Sequence, residues 1–178
     1  MSLNVLLITL DQFRADCLSV AGHPLVKTPN LDRLAKNGVR LTKHYSQCAP
    51  CSPGRASLYT GMYQMNHRVV ANGTPLDRRF DNVALLARRA GYKPTLFGYT
   101  DQSVDPRDTT GAEDWRLNTF EGILPGFDCE LFIPEPHDLW INHLNEHGFD
   151  VPMNAKQALL TEPDRPAEFG ISAFLTDH

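Results

Sequence analysis

The sequence predicts an α/β layered fold. Three observations carry that expectation: an unbroken apolar run from Leu3 to Leu10, helical periodicity alternating with short apolar runs as far as Gly98, and Gly or Pro at the junctions. Leu3 to Leu10 has almost no polar alternation, the pattern of a central parallel strand covered on both faces. Thr28-Pro29-Asn30 then opens a helical stretch with Leu31, Leu34 and Ala35 at helical spacing and Gly38 as its stop. Val39, Leu41, Lys43 and Tyr45 alternate along a second expected strand. A helix follows from Cys51, with Ser52 as N-cap and Pro53 at its first position. Asp81 to Ala90 reads as a further helix, lined by Val83, Leu86, Ala87 and Ala90, with Arg88 and Arg89 in its last turn and Gly91 ending it. Tyr92 to Gly98 is the next expected strand.

Beyond Thr100 the order weakens. Asp101 to Pro136 is rich in Asp, Pro, Gly and Thr without a sustained period, and reads as a surface excursion or lid. His137 to His147 is a short helix stopped by Gly148, 151–168 is irregular, and Phe169 to His178 begins a helix. No repeat or low-complexity tract interrupts the chain.

With 178 residues, 42% of them hydrophobic and 21% charged, the chain has enough material for one domain with its own core. A net charge of -4 without a basic cluster argues against nucleic acid as a partner. The run Val5 to Ile8 ends at Asp11 and is too short for a membrane span, and the first residues lack the basic start of a secretory signal. The chain therefore reads as cytoplasmic, with no membrane partner. Cys17, Cys48, Cys51 and Cys129 have no disulfide-framework spacing.

The most informative stretch is Cys48-Ala-Pro-Cys-Ser-Pro-Gly-Arg-Ala-Ser-Leu-Tyr-Thr-Gly61. It sets Cys51 at a helix N-terminus, where backbone N–H groups and the positive helix end suit an anion. Arg55 adds a fork of donors that matches sulfate or phosphate oxygens. Asp11 and Gln12 stand at the carboxyl end of the first expected strand, where open α/β sheets bind ligands, and are hard oxygen donors suited to Ca²⁺, Mg²⁺ or Mn²⁺.

Cys51-x-Pro-x-Arg55, followed by Leu58-Tyr-Thr-Gly61, resembles the core signature of the sulfatases of the alkaline phosphatase superfamily. Gln12 replaces the second of two adjacent aspartates usual there. With Lys27-Thr-Pro-Asn-Leu-Asp-Arg33, Leu58 to Arg68, Gly98-Tyr99-Thr100 and Asp105-Pro106-Arg107, it makes the chain most similar in pattern to the phosphonate monoester hydrolase and phosphodiesterase branch. Arylsulfatases often carry Gly-Lys-x-His where this chain has Gly98-Tyr99-Thr100-Asp101. The resemblance is dense from Asn4 to Arg107.

The resemblance implies an alkaline-phosphatase-like three-layer α/β fold with a mostly parallel central sheet. The chain would be the N-terminal part of one catalytic domain, with a core over 3–107, an irregular insertion or lid over 108–168 and a helix start over 169–178. It also implies a metal-dependent hydrolase of sulfate or phosphate/phosphonate esters. Cys51 would be oxidised to formylglycine by a formylglycine-generating enzyme, and Asp11, Gln12 and residue 51 would hold a Ca, Mn or Mg ion. Hydrated residue 51 would attack through one hydroxyl and release the oxyanion with the help of the other. Arg55 would hold residue 51 and balance charge, while Asn72 and Tyr99 would contact substrate. Family members are longer, and they draw a second metal-binding pair, a lysine and a histidine from later in the chain. The 178 residues alone are therefore expected to be inactive. Their exposed apolar surface is expected to drive self-association into homo-oligomers or aggregates.

Two other readings keep their own signatures. Cys48-Ala-Pro-Cys51 before a helix is also the arrangement of a thiol–disulfide oxidoreductase. A non-catalytic fragment would fold and leave Cys51 a thiol. Asp11 and Asn72-Gly73 are ordinary turn residues as well. His23 and His67 are commoner as surface or packing histidines than as ligands.

Overall fold

A computed structural model describes residues 3–134 and 138–151. These fall into two units, one within Met1–His44 and one within Tyr45–Ala158.

In the first unit, residues 3–10 run without strand pairing and turn at Asp11 and Gln12. Short 3₁₀ turns at Ala15–Cys17 and Ser19–Ala21 lead to helix α1, Pro29–Asn37. Pro29 at its first position costs no hydrogen bond, because that N–H would lack an intrahelical partner anyway. Side chains tie the helix start to the preceding turn. Ser19 Oγ donates to Asp32 Oδ2 at 2.7 Å, Val20 N donates to Asp32 Oδ1 at 3.0 Å, and Thr28 N donates to Ser19 Oγ at 2.8 Å. These bonds, the Ser19 hydroxyl foremost, hold the Asp32 carboxyl below its usual range.

The second unit carries the core. Helix α2, Cys51–Thr60, is followed by the short α3, Gln64–His67, and by α4, Val83–Arg89. Strand β1, Thr95–Phe97, pairs in parallel with β2, Asp128–Leu131, in the register Thr95 to Asp128 and Leu96 to Cys129, with an irregularity before Phe97. Helix α5, Asp138–Glu146, closes the described part, burying Ile141 and Leu144. Ala56, Tyr59, Val69, Leu76 and Leu124 form the core, with Phe80 and Phe127 packed against it. Tyr59 and Phe127 meet edge to face with centroids 6.4 Å apart.

Four of the expected helices form close to their expected bounds. The strands at 3–10 and 39–45 do not. An extended segment becomes a strand only when a neighbour takes up its N–H and C=O groups, and among the described residues none pairs with either. The apolar side chains of 3–10 are accordingly exposed, from Leu10 at 54% to Leu6 at 84%. Within the stretch expected to be irregular, Asp128–Leu131 is a strand instead. It gains order from β1: Gly98 N donates to Leu131 O at 2.7 Å and Asp128 N to Pro94 O at 2.9 Å.

Two local expectations change as well. The N-cap of α2 is Pro50 rather than Ser52, which lies inside the helix and fully buried. Helix α4 buries Ala84 rather than the face of Val83 and Leu86, because Asn82, its N-cap, also donates from Nδ2 to Pro125 O and draws the 125–126 loop onto that side. Gly126 lies so close that a Cβ there would stand 3.0 Å from Ala84 Cβ. The helix expected over 169–178 and the irregular stretch beyond Val151 lie outside the described residues. No helix among the described residues is long and apolar enough to cross a membrane.

Candidate active site around residue 51

Cys51 is the first residue of α2 and is half-buried. Arg55 stands one turn further on, so the two side chains share a face of the helix. Gly54 is required just behind them: a Cβ there would stand 3.0 Å from Cys48 O and 3.4 Å from Ser46 Oγ.

The helix N-terminus differs from the sequence expectation in one chemical respect. Two of its N–H groups do not stand open to an anion. Ser52 N donates to Asn72 Oδ1 at 3.0 Å, Gly54 N donates to Pro50 O at 3.0 Å, and Pro53 has no N–H. The cationic group of this face is the Arg55 guanidinium.

The loop after β1 builds the other wall. Thr100, Asp101 and Gln102 are all buried. Thr100 N and Oγ1 both donate to Gly122 O, at 2.9 and 2.7 Å, and Thr100 Oγ1 accepts from Leu124 N at 2.9 Å. Gln102 Nε2 donates to Ser52 O at 2.7 Å, locking this loop to the first turn of α2. Gly122 lets the two loops touch, since a Cβ there would fall 2.1 Å from Gln102 O. Between these anchors Asp101 adopts a left-handed backbone with φ +57°. Its carboxylate lies 3.8 Å from Arg55 Nε, the two side chains 3% and 12% exposed, and within 4.8 Å of Cys51 Sγ. Among the described residues, no hydrogen-bond partner reaches the buried Ser52 Oγ or Gln102 Oε1.

Four of the sequence-predicted site residues, Cys51, Arg55, Asn72 and Tyr99, thus lie in the second unit. The Arg55 guanidinium carbon sits 5.4 Å from the Tyr99 ring centroid, and Arg55 Nη1 donates to Tyr99 O at 3.5 Å, the long end of such bonds. Asn72 is exposed; its Oδ1 is engaged by the helix, which leaves Nδ2 as the end with donors to offer. Asp11 and Gln12 lie in the first unit, at an exposed turn where Gln12 has φ +54°. Asp101 and Gln102 are the residues that the sequence reading passed over. An Asp at φ > 0 leaves no mark in a single sequence beyond an ordinary turn residue.

The Cys48-Ala-Pro-Cys51 redox reading meets a competing use of Cys48. His67 Nδ1 accepts from Val69 N at 3.1 Å, so the neutral ring carries its proton on Nε2 and donates to Ser57 Oγ at 2.9 Å. Ser57 Oγ donates in turn to Gln47 Oε1 at 3.1 Å, and its remaining lone pair faces Cys48 Sγ at 3.3 Å. The thiol of Cys48 completes this network. Burial lowers the His67 pKa and keeps the ring neutral. The pair Ser57–His67 is no nucleophile–base couple, because the serine faces the protonated nitrogen.

The sulfatase family model matches residues 3–164. A multifunctional alkaline phosphatase superfamily protein of Trinickia caryophylli is 40% identical over 98% of this chain, a match spanning 37% of that protein. Among solved structures, the phosphonate monoester hydrolase of Agrobacterium radiobacter is 51% identical with a TM-score of 0.75, covering 88% of this chain and 31% of its own. The phosphonate monoester hydrolase of Silicibacter pomeroyi is 44% identical with a TM-score of 0.76, covering 94% and 32%. The chain spans about a third of the length of these proteins, and its fold is alkaline-phosphatase-like.

Proposed function

The chain belongs to the sulfatase family, and from that premise we propose that the protein acts as a hydrolase of sulfate or phosphonate esters whose reacting centre is residue 51. The observation that supports this most directly is the setting of Cys51: it opens α2, with Arg55 one turn on and the anchored loop 99–102 beside it.

In this reading Cys51 is the substrate of a formylglycine-generating enzyme, and the resulting residue is the nucleophile. Arg55, held over Tyr99 and beside Asp101, orients the ester's anionic oxygens, and Asn72 Nδ2 offers them a further donor. Asp11 and Gln12 would hold a Ca, Mn or Mg ion: a carboxylate and a carboxamide oxygen at an exposed turn have the hard-donor chemistry such ions take. When bound, the ion supplies positive charge that favours an ionised nucleophile near neutral pH.

The test is an intact and peptide mass spectrum of the chain from a host with the converting enzyme. The peptide containing Cys51 should lose about 18 Da as thiol becomes aldehyde. An unmodified Cys51 in that host would remove the nucleophile and the proposal with it.

A further inference from the structure

The end of helix α5 carries two histidines one turn apart, and neither belongs to the site around residue 51. We propose that His143 and His147 form a binding site for a late first-row divalent transition metal, Ni²⁺, Cu²⁺ or Zn²⁺, with both imidazoles as ligands.

His143 lies in the last turn of α5, and His147 follows its final residue. The helical bonding runs on to it: His147 N donates to His143 O at 3.2 Å and to Leu144 O at 3.0 Å. Positions four apart share a helix face, and here the two rings have centroids 4.2 Å apart. Both histidines are exposed, while the helix is anchored by the buried Ile141 and Leu144. Further bonds brace the turn. Phe149 N donates to Leu144 O at 3.1 Å, Asn145 Nδ2 donates to Val151 O at 3.0 Å, and Val151 N donates to Asn145 Oδ1 at 2.8 Å. The backbone that spaces the two imidazoles is therefore set before any ion arrives.

One ring is already arranged as a ligand. His147 Nδ1 lies 2.8 Å from His143 O. A carbonyl oxygen only accepts, so Nδ1 carries the proton and the lone pair stands on Nε2. Metal-bound histidines characteristically give their second N–H to such an acceptor, which fixes the tautomer and the ring plane. His143 supplies the second imidazole. Imidazole nitrogen suits nickel, copper and zinc, whereas calcium and magnesium take oxygen donors. The ion class therefore differs from the one fitted to Asp11 and Gln12. The location also favours a cation: the carbonyl end of a helix is partly negative, and Glu146 adds a carboxylate to the same turn. A bound ion closes a ring across this turn, leaves its other positions to water, and braces the end of α5.

The test is calorimetric titration of the chain, made without a polyhistidine tag, with Ni²⁺ alone, an ion that does not oxidise thiols. Cysteines and carboxylates elsewhere also take nickel, so the double variant His143→Gln with His147→Gln sets the background. The unaltered chain should bind Ni²⁺ above that background. Either substitution alone should weaken this binding by at least about tenfold, the scale on which even the loss of a ligand's outer partner is felt. An excess of Mg²⁺ should not displace the ion. Glutamine is a good helix former, so the exposed substitutions should leave α5 in place. Hydrogen exchange reads the unaltered chain independently: Ni²⁺ should slow exchange in the peptide carrying His143 and His147, and should not do so in the double variant. Equal nickel binding by the unaltered chain and the double variant, or no slowing of exchange in that peptide, would overturn the site.

Discussion

Asn72 reaches across to the first turn of α2 and caps it, its side-chain oxygen 3.0 Å from the backbone nitrogen of Ser52. The helix that presents residue 51 is thereby capped from outside, by a residue distant in sequence, since Pro50 at its own N-cap makes no side-chain cap bond.

Asn72→Ala should cost about 1 kcal/mol of stability, the usual value of one cap bond, and speed amide exchange at Ser52. Asn72→Asp keeps the acceptor and adds a charge that suits a helix N-terminus, so it should stay near the unaltered chain. Urea midpoints and hydrogen exchange read both effects. Equal loss in the two variants would show that the amide donors of Asn72, rather than its oxygen, hold the helix.

His67 links stability to pH in a defined window. Its folded pKa is lowered by burial, so the unfolded chain binds the proton more readily. The stabilisation is complete above the ordinary histidine pKa of about 6.5 and is lost as pH falls through it towards the folded value. Asp105 and Asp114 act lower down. Hydrogen bonds from Arg107 and Arg116 hold their carboxyls well below the usual range, so their contribution is present above about pH 4 and fades only in stronger acid. Unfolding midpoints between pH 7.5 and 5 should fall for the unaltered chain and flatten in His67→Gln. A slope that survives the substitution would assign it to other groups.

Gly122→Ala tests the contact that sets the Asp101 loop. The added methyl would need to occupy space 2.1 Å from a backbone oxygen, so one of the two loops must move. A loss of about 2 kcal/mol is expected, the scale of overpacking in a tight core, together with weaker protection of the Thr100 amide. A variant as stable as the parent, with Thr100 still protected, would show that the two loops slide apart freely.

The apolar residues Leu3, Val5, Leu6, Leu7 and Ile8 are all more than half exposed. Such a contiguous surface drives association, and sedimentation should show species larger than a monomer at micromolar concentration. Replacing Leu6 and Ile8 by lysine should shift the distribution towards monomer. A monomeric unaltered chain would contradict the expectation.

How much of this was legible in the sequence follows the range of the interactions involved. Helices α1, α2, α4 and α5 are written locally, in Pro29, Pro53, Gly91 and Gly148 and in the spacing of their apolar residues, whereas the Asn82 cap of α4 emerged only in the structure. Strand β2 is not, because Asp128, Cys129 and Glu130 lack the alternation of a half-buried strand and owe their order to pairing with β1. The run at 3–10 failed in the opposite sense: it has strand composition, but composition supplies no partner. At the site, Cys51 and Arg55 were legible from their fixed spacing on one helix. Asp101 was not, because its meaning lies in meeting Arg55, and a single sequence does not state which side chains meet.

The bonds that join Ser52 to Asn72 and to Gln102 close loops of 20 and 50 residues. Loop closure is an entropic cost that must be met before such contacts can form. α2 can nucleate from local contacts, but the walls around residue 51 assemble only when distant segments have docked. During folding, therefore, the helix carrying residue 51 should appear before the proposed anion site does, and affinity for an oxyanion, measured during refolding, should report on the last stage of folding rather than the first.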